Sequence, residues 1–199
     1  MNRALLVIDV QESFRVRPLW RTVSNPAIVD RVDELVAAAR AAGDLVVWVL
    51  HAEPGTGTVF DPVAGHVRPI DGLRPGAGEP MLTKTAHNAF TTTNLQQLLV
   101  SRGVRELAVC GIRTEQCCET TARVGSDLGY AVTFVTDATA TFPIPHWSAP
   151  ADRTVEELLA DPRTLPAAAV VERTEYALAG RFATVSTVAG VIGGILTRS

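Results

Sequence analysis

Leu45-Val-Val-Trp-Val-Leu50 is the stretch on which the fold turns. Every residue in it is apolar, three are β-branched valines, and a charged residue stands just before it (Asp44) and a histidine just after (His51). The run is too short for a helix, and as a strand it offers no polar side to water. It therefore belongs in the middle of a sheet covered by helices on both faces. Upstream, Asn25 reads as a helix cap with Pro26 at the first helical position. Ile28, Val29, Val32, Leu35, Val36 and Ala39 then recur every three or four residues, and Gly43 closes the helix. Further upstream lies a second buried run, Ala4-Leu-Leu-Val-Ile8. Strand, helix and strand over 4–50 make one βαβ unit, which demands parallel strands and a right-handed crossover.

The alternation continues downstream. Residues 52–81 form a loop punctuated by glycine and proline, and a short strand follows at Met81–Lys84. A helix capped by Thr93 or Asn94 carries Leu95, Leu98 and Leu99 to Gly103. Strand Glu106–Cys110, helix Glu115–Leu128 and strand Ala131–Thr136 come next. Beyond Asp137 the pattern weakens: 143–166 mixes prolines with one short helical stretch, Val155–Ala160, and reads as an insertion or lid over the sheet edge or site mouth, or a subunit contact. A helix over about 167–180, a strand Phe182–Ser186 and a helical tail 188–196 complete an α/β chain with an about six-stranded, mostly parallel, Rossmann-like sheet.

Composition sets the bounds. The 199 residues fit one domain, 1–199, and 47% hydrophobic with 20% charged residues excludes a disordered or fibrous chain. A net charge of -3 leaves no basic footprint for nucleic acid or an anionic membrane. Three cysteines, two of them adjacent, build neither a disulfide framework nor a zinc ribbon. Ala4–Ile8 is too short for a secretory segment and Val188–Leu196 too short for a bilayer span, so a soluble, cytoplasmic protein is expected. Two glycine patterns are decoys. Gly55-Thr-Gly57 lacks the third glycine and the helix of a dinucleotide loop, and Gly190 with Gly194 fits close helix packing or an oligomer contact.

In a parallel sheet, ligands bind at the carboxyl ends of the strands. Those ends carry Asp9 and Gln11, His51 and Glu53, Lys84, the segment Gly111–Cys118, and Asp137. An acid, an ammonium and a thiol on one rim make a nucleophilic set: the thiol needs a proton acceptor and nearby positive potential. Each has a plainer reading. Asp9 can close a turn, Lys84 can be a solvated lysine, and Cys110 is a small buried hydrophobe within its strand. Between the vicinal cysteines, Cys118 leads a small-residue face (Ala122, Gly125, Gly129) suited to the sheet, which turns Cys117 about 100° away toward the crevice. Val124 and Leu128 trail Cys117 as well, so spacing alone leaves the pair open. His51 suits a neutral pocket wall and a satisfied strand-end histidine equally. Phe14, Trp20, Phe90 and Phe142 are candidate pocket walls, though large aromatics serve more often as core.

The sequence resembles the isochorismatase-like cysteine hydrolases, a superfamily that includes nicotinamidase and N-carbamoylsarcosine amidohydrolase. The segments that carry the resemblance are Ala4-Leu-Leu-Val-Ile-Asp-Val-Gln-Glu-Ser-Phe14, Lys84-Thr-Ala-His-Asn-Ala-Phe90 and Gly111-Ile-Arg-Thr-Glu-Gln-Cys-Cys-Glu-Thr-Thr-Ala-Arg123. Gly129-Tyr-Ala-Val, Asp137-Ala and Leu178-Ala-Gly-Arg-Phe-Ala-Thr-Val185 continue it in order across most of the chain. It implies a three-layer α/β/α fold and a catalytic triad of Asp9, Lys84 and Cys117, with the nucleophile at the first cysteine because the family usually has valine at position 118. It also implies a non-proline cis peptide between Ile112 and Arg113, with the backbone amides of Arg113 and Cys117 as the oxyanion hole. Gln11, Phe14, His51 and Phe90 fall in the substrate pocket.

True isochorismatases lack the cysteine and cleave a vinyl ether, so Cys117 favours the amide-hydrolysing branch. His51-Ala-Glu53 with a separate His66 is not the Asp-x-His arrangement by which nicotinamidases bind metal, so no metal or other cofactor is expected. The expected protein is a metal-independent cysteine amidohydrolase that cleaves a C–N bond of a small carboxamide, ureido or carbamoyl compound. Its partners are that substrate and further copies of itself, as a homodimer or higher oligomer. The alternatives are a vinyl-ether hydrolase with an incidental cysteine and a non-catalytic binding protein on the same fold.

Overall fold

The computed structural model describes residues 2–196. The first βαβ unit forms as its pattern dictates. Strand β1 (Arg3–Ile8) is followed by the single turn α1 (Glu12–Arg15), a 3₁₀ turn at Pro18–Thr22, helix α2 (Ile28–Ala41) and strand β2 (Leu45–His51). The strands run parallel, Ala4 opposite Leu45 through Ile8 opposite Val49. Helix α2 buries Ile28, Val32, Leu35, Val36 and Ala39, and Gly43 leaves it with φ +70°.

The chain continues through β3 (Met81–Lys84), α3 (Leu95–Ser101), β4 (Glu106–Ile112), a π-helical turn Thr114–Cys118, and α4 (Glu119–Asp127). It ends with β5 (Ala131–Ala140), α5 (Val155–Ala160), α6 (Ala167–Leu178), β6 (Thr184–Ser186) and α7 (Val188–Leu196). All pairings are parallel and the sheet order is β3-β2-β1-β4-β5-β6. Alternate residues of β1 enter two apolar clusters. Leu5 and Val7 join the one with α2 and Val188, and Ala4, Leu6 and Ile8 join the one with Leu95, Leu99, Ala122 and Leu178. These are the two helical layers of a three-layer α/β/α fold. The order reverses between β1 and β4, so the crevice opens where those two strands end.

Three elements differ from expectation. Strand β5 runs on to Ala140 because the β4–β5 register shifts between Val109 and Gly111, which brings Thr139 opposite Gly111. Asp137 therefore lies inside a strand, where its Oδ1 accepts the Val188 amide at 2.7 Å and caps α7. The helix expected to open at Pro26 behind an Asn25 cap starts two residues later, at Ile28. The Asn25 Oδ1 accepts the Ala27 amide at 3.2 Å, and its Nδ2 donates to the carbonyls of Asp137 (2.9 Å) and Thr139 (3.2 Å). Finally, the helix expected from Glu115 opens as the π-helical turn before α4 begins at Glu119.

The 143–166 segment is tied at its base, where Ile144 and Leu165 exchange backbone hydrogen bonds of 3.0 and 2.9 Å. Between them, a capping box formed by Thr154 and Glu157 starts α5. Among the described residues, no helix is long and apolar enough to cross a membrane.

Candidate active site

Two strand ends and one edge strand converge at the switch point. Asp9 leaves β1 with φ +52°, the left-handed region that asparagine and aspartate tolerate better than most residues, and its amide donates to Val49 O at 2.8 Å. A buried non-glycine residue held there signals a position that the surroundings over-determine. Alongside, Gly111 of β4 sits opposite Ile8. Lys84 ends β3 in register with His51. Its side chain reaches Asp9, and its ammonium is fully buried.

The Lys84 Nζ lies 2.7 Å from Asp9 Oδ2 and 3.3 Å from the Cys117 Sγ. It also lies 3.3 Å from His51 Nδ1. Cys117 stands in the π-helical turn. There the Arg113 carbonyl accepts the amides of Gln116 (3.3 Å) and Cys118 (3.1 Å), passing over that of Cys117. The Ile112–Arg113 peptide is cis. Cys117 and Cys118 both belong to the apolar cluster of Leu107 and Ala122, but Cys118 is wholly buried and the Lys84 contact is made by Cys117.

Burial and charge set the protonation states. Burial raises the Asp9 carboxyl above its ordinary range, against the pull of the Lys84 charge and hydrogen bonding from Lys84 and Cys117. Burial, reinforced by the Asp9 charge and eased by Lys84, pushes the Cys117 thiol up to about 12. At neutral pH the sulfur thus keeps its proton until something takes it. Burial and then Lys84 lower His51, which is neutral at pH 7. Its Nδ1 faces an ammonium donor and must accept, so the ring proton sits on Nε2, 3.4 Å from Glu53 Oε1.

An aromatic wall runs outward from His51. The Phe60 ring lies 5.8 Å from the His51 ring and 5.0 Å from Phe14, and Phe14 stacks 6.2 Å from Phe142. Phe60 was not among the residues expected from the sequence, because an aromatic in a glycine-rich loop carries no periodic signal. Of the four candidate aromatics, Phe14 and Phe142 belong with Phe60 to the buried core cluster on the α2 side, and Trp20 packs on Phe142 at 6.2 Å. Phe90 does not join them: it stacks on Tyr130 at 6.2 Å and lies under Gly125 of α4. Gln11 is buried with its side chain fully engaged. Its Nε2 donates to His51 O (2.9 Å) and to the Ser13 Oγ (2.9 Å), and its Oε1 accepts the His51 amide at 2.7 Å. It therefore positions the end of β2, with both amide hydrogens engaged and one lone pair of Oε1 left over.

Comparison with known proteins agrees with this arrangement. The Isochorismatase domain family model matches residues 3–176. Streptothricin hydrolase from Streptomyces noursei is 39% identical over 143 residues, 72% of this chain and 51% of that enzyme, so the chain spans about half the length of that relative. The ureidoacrylate amidohydrolase RutB of Klebsiella pneumoniae is 28% identical over 170 residues, covering 68% of this chain and 72% of its own. Among solved structures, a cysteine hydrolase from Pseudomonas syringae pv. phaseolicola superposes with a TM-score of 0.84 at 27% identity, over 100% of this chain and 94% of that one. With the family model covering β1 through β5 and both strand ends of the crevice, the chain belongs to the isochorismatase family of hydrolases.

Proposed function

We propose that this protein is a cysteine amidohydrolase that cleaves the C–N bond of a small carboxamide, ureido or carbamoyl compound through a thioester. The observation that carries the reading is one buried ammonium, Lys84, within 2.7 Å of a carboxylate and 3.3 Å of a thiol. The similarity to a ureidoacrylate amidohydrolase and a cysteine hydrolase supports it.

The steps follow from the protonation states. Asp9 takes the Sγ proton as the sulfur attacks the carbonyl carbon, so negative charge moves onto the carbonyl oxygen. The amides of Arg113 and Cys117 receive that oxyanion. Lys84, 2.7 Å from Asp9 and 3.3 Å from the sulfur, is placed to offset negative charge on whichever of the two carries it. The C–N bond breaks as Asp9 returns its proton to the nitrogen, and ammonia or an amine departs. Water then attacks the thioester with Asp9 again as base, releasing the acid and restoring the thiol. Segment 143–166 is proposed to shape the mouth of this site.

The test is ammonia release over a panel of small amides and ureido compounds, with the quenched protein weighed for an acyl adduct on Cys117. Hydrolysis of a panel member with such an adduct is the expected result. Failure to release ammonia from any of them by well-folded protein would remove the amide reading.

The pH profile carries a second expectation. Asp9 must be ionised to accept the proton, so kcat/KM falls as pH drops through its raised pKa. The acid limb should lie above the usual range of an aspartate, about 3.9. A rate that stays flat down to that range would show that Asp9 is not the base.

A further inference from the structure

A cavity of about 770 Å³, lined by none of the triad residues, lies between the Pro18–Thr22 turn and the 143–166 segment. That is ample for a small ligand. Arg17, Arg21, Arg113 and Arg153 line it against a single acid, Glu156. Glu156 is occupied by Arg21. The other three guanidiniums are poorly compensated. Arg17 has only the face of Phe60, at 6.0 Å, and no acidic partner among the described residues. Arg113 lies 4.9 Å over the Phe142 ring, with its nearest carboxylate, Glu115, at 3.9 Å. Arg153 donates from Nε to Pro150 O at 3.0 Å and faces Asp161 at 3.8 Å, an acid already held by Arg163 at 2.8 Å. Its Nη2 is buried without any hydrogen-bond partner.

A buried donor left unmade costs about 1–3 kcal/mol, more for a charged group, and several unneutralised guanidiniums around one cavity repel each other. Burial disfavours the Arg113 charge, Glu115 relieves this in part, and the neighbouring Arg17 adds to it. An anion in the cavity offsets the positive charge of Arg17, Arg113 and Arg153 together.

One residue, Arg113, links the cavity to the chemistry. Arg113 contributes its side chain here and its backbone amide to the proposed oxyanion hole. Phe60 touches both His51 and Arg17, and Phe14 spans Phe60 and Phe142.

We infer that this cavity is the subsite for a carboxylate on the substrate, with Arg153 and Arg17 as specificity-determining residues, so that the preferred compounds are amide or ureido acids rather than neutral amides. The guanidinium fork matches a carboxylate. The inference rests on the amidohydrolase reading for what is cleaved, but the subsite can be tested without turnover.

The experiment uses ω-ureido acids of increasing chain length, each paired with its methyl ester. Binding to Cys117→Ala protein is followed by calorimetry, and hydrolysis by the wild type in parallel. At least one acid should bind Cys117→Ala about tenfold or more tightly than its ester. Arg153→Gln in that background should erase most of the preference while leaving ester binding unchanged, and Arg153→Lys should restore part of it. In the active enzyme, Arg153→Gln should raise KM for the acid with kcat within about twofold, the signature of lost binding rather than lost chemistry. Arg17→Gln provides the same test from the other wall of the cavity.

Equal binding of every acid and its ester would overturn the subsite, as would an Arg153→Gln variant that weakens acid and ester alike. Hydrolysis of esters and acids at equal kcat/KM would do so too, while leaving the amidohydrolase reading intact. Selective acid binding without hydrolysis of any pair would support the subsite and count against the amide reading alone.

Discussion

Asp9→Asn is expected to lower kcat/KM by about a thousandfold or more, with the protein still folded. The magnitude follows from the thiol. With Cys117 pushed up to about 12, roughly one sulfur in 10⁵ is a thiolate at pH 7, so a productive attack needs a base in place. Asparagine keeps the shape of the side chain but cannot take the proton. Solvent hydroxide must then do so, and the residual rate should climb about tenfold per pH unit through the neutral and alkaline range, whereas the wild-type profile levels off above the Asp9 pKa. The measurement is kcat/KM against pH for both proteins on one hydrolysed amide, with circular dichroism to confirm the fold. A variant within tenfold of wild type, or one with the wild-type pH profile, would mean that another group accepts the proton.

Gly111→Ala is the second large effect, and it acts through the backbone. Gly111 has φ +130°, and a Cβ there would stand 1.9 Å from Ile8 O and 2.8 Å from Ile8 N. Both are main-chain atoms of the strand paired with it, so no change of rotamer relieves the overlap. β1 must separate from β4 at the residue before Asp9, next to the Lys84 contact. The expected cost is about 3 kcal/mol or more, which lowers Tm by roughly 6–12 °C for a chain of this size. Turnover should fall with it, because the displaced strand end carries the proposed base. Calorimetry and an activity assay below the variant's Tm check both. A variant that melts with wild type and turns over normally would show that β1 and β4 do not meet this closely.

Where side-chain pattern and burial coincide, the sequence was easily read. Leu45–Leu50 has no polar face, and the strand it forms is interior; Val155–Ala160 and 188–196 become helices with those same ends. The positions of Asp9 and Lys84 were legible because the parallel sheet presents strand ends to one crevice, whereas spacing left Cys117 and Cys118 open and the family resemblance chose between them. Less legible was anything settled by register or by contacts across the fold. Asp137 looked like a strand-end acid until the shift opposite Gly111 carried β5 past it, and it caps α7 instead. Gln11 sits at the right place for a ligand contact, but its amide is consumed by both backbone groups of His51, forty residues away. Phe60 and Arg153 lie in segments rich in glycine and proline, where no periodicity marks which side chains turn inward. Asn25 had the composition of a cap and became a tie to β5, because carbonyls of that strand compete for its amide.

The most direct test of the account is ammonia release by wild-type and Cys117→Ala proteins, side by side on the same amide at equal concentration and with matched melting curves. Alanine removes the sulfur while leaving Asp9, Lys84 and the fold in place. Release by the wild type alone, with the variant down by at least about a thousandfold, is the predicted result. Equal release by both proteins would take Cys117 out of the chemistry and contradict the mechanism.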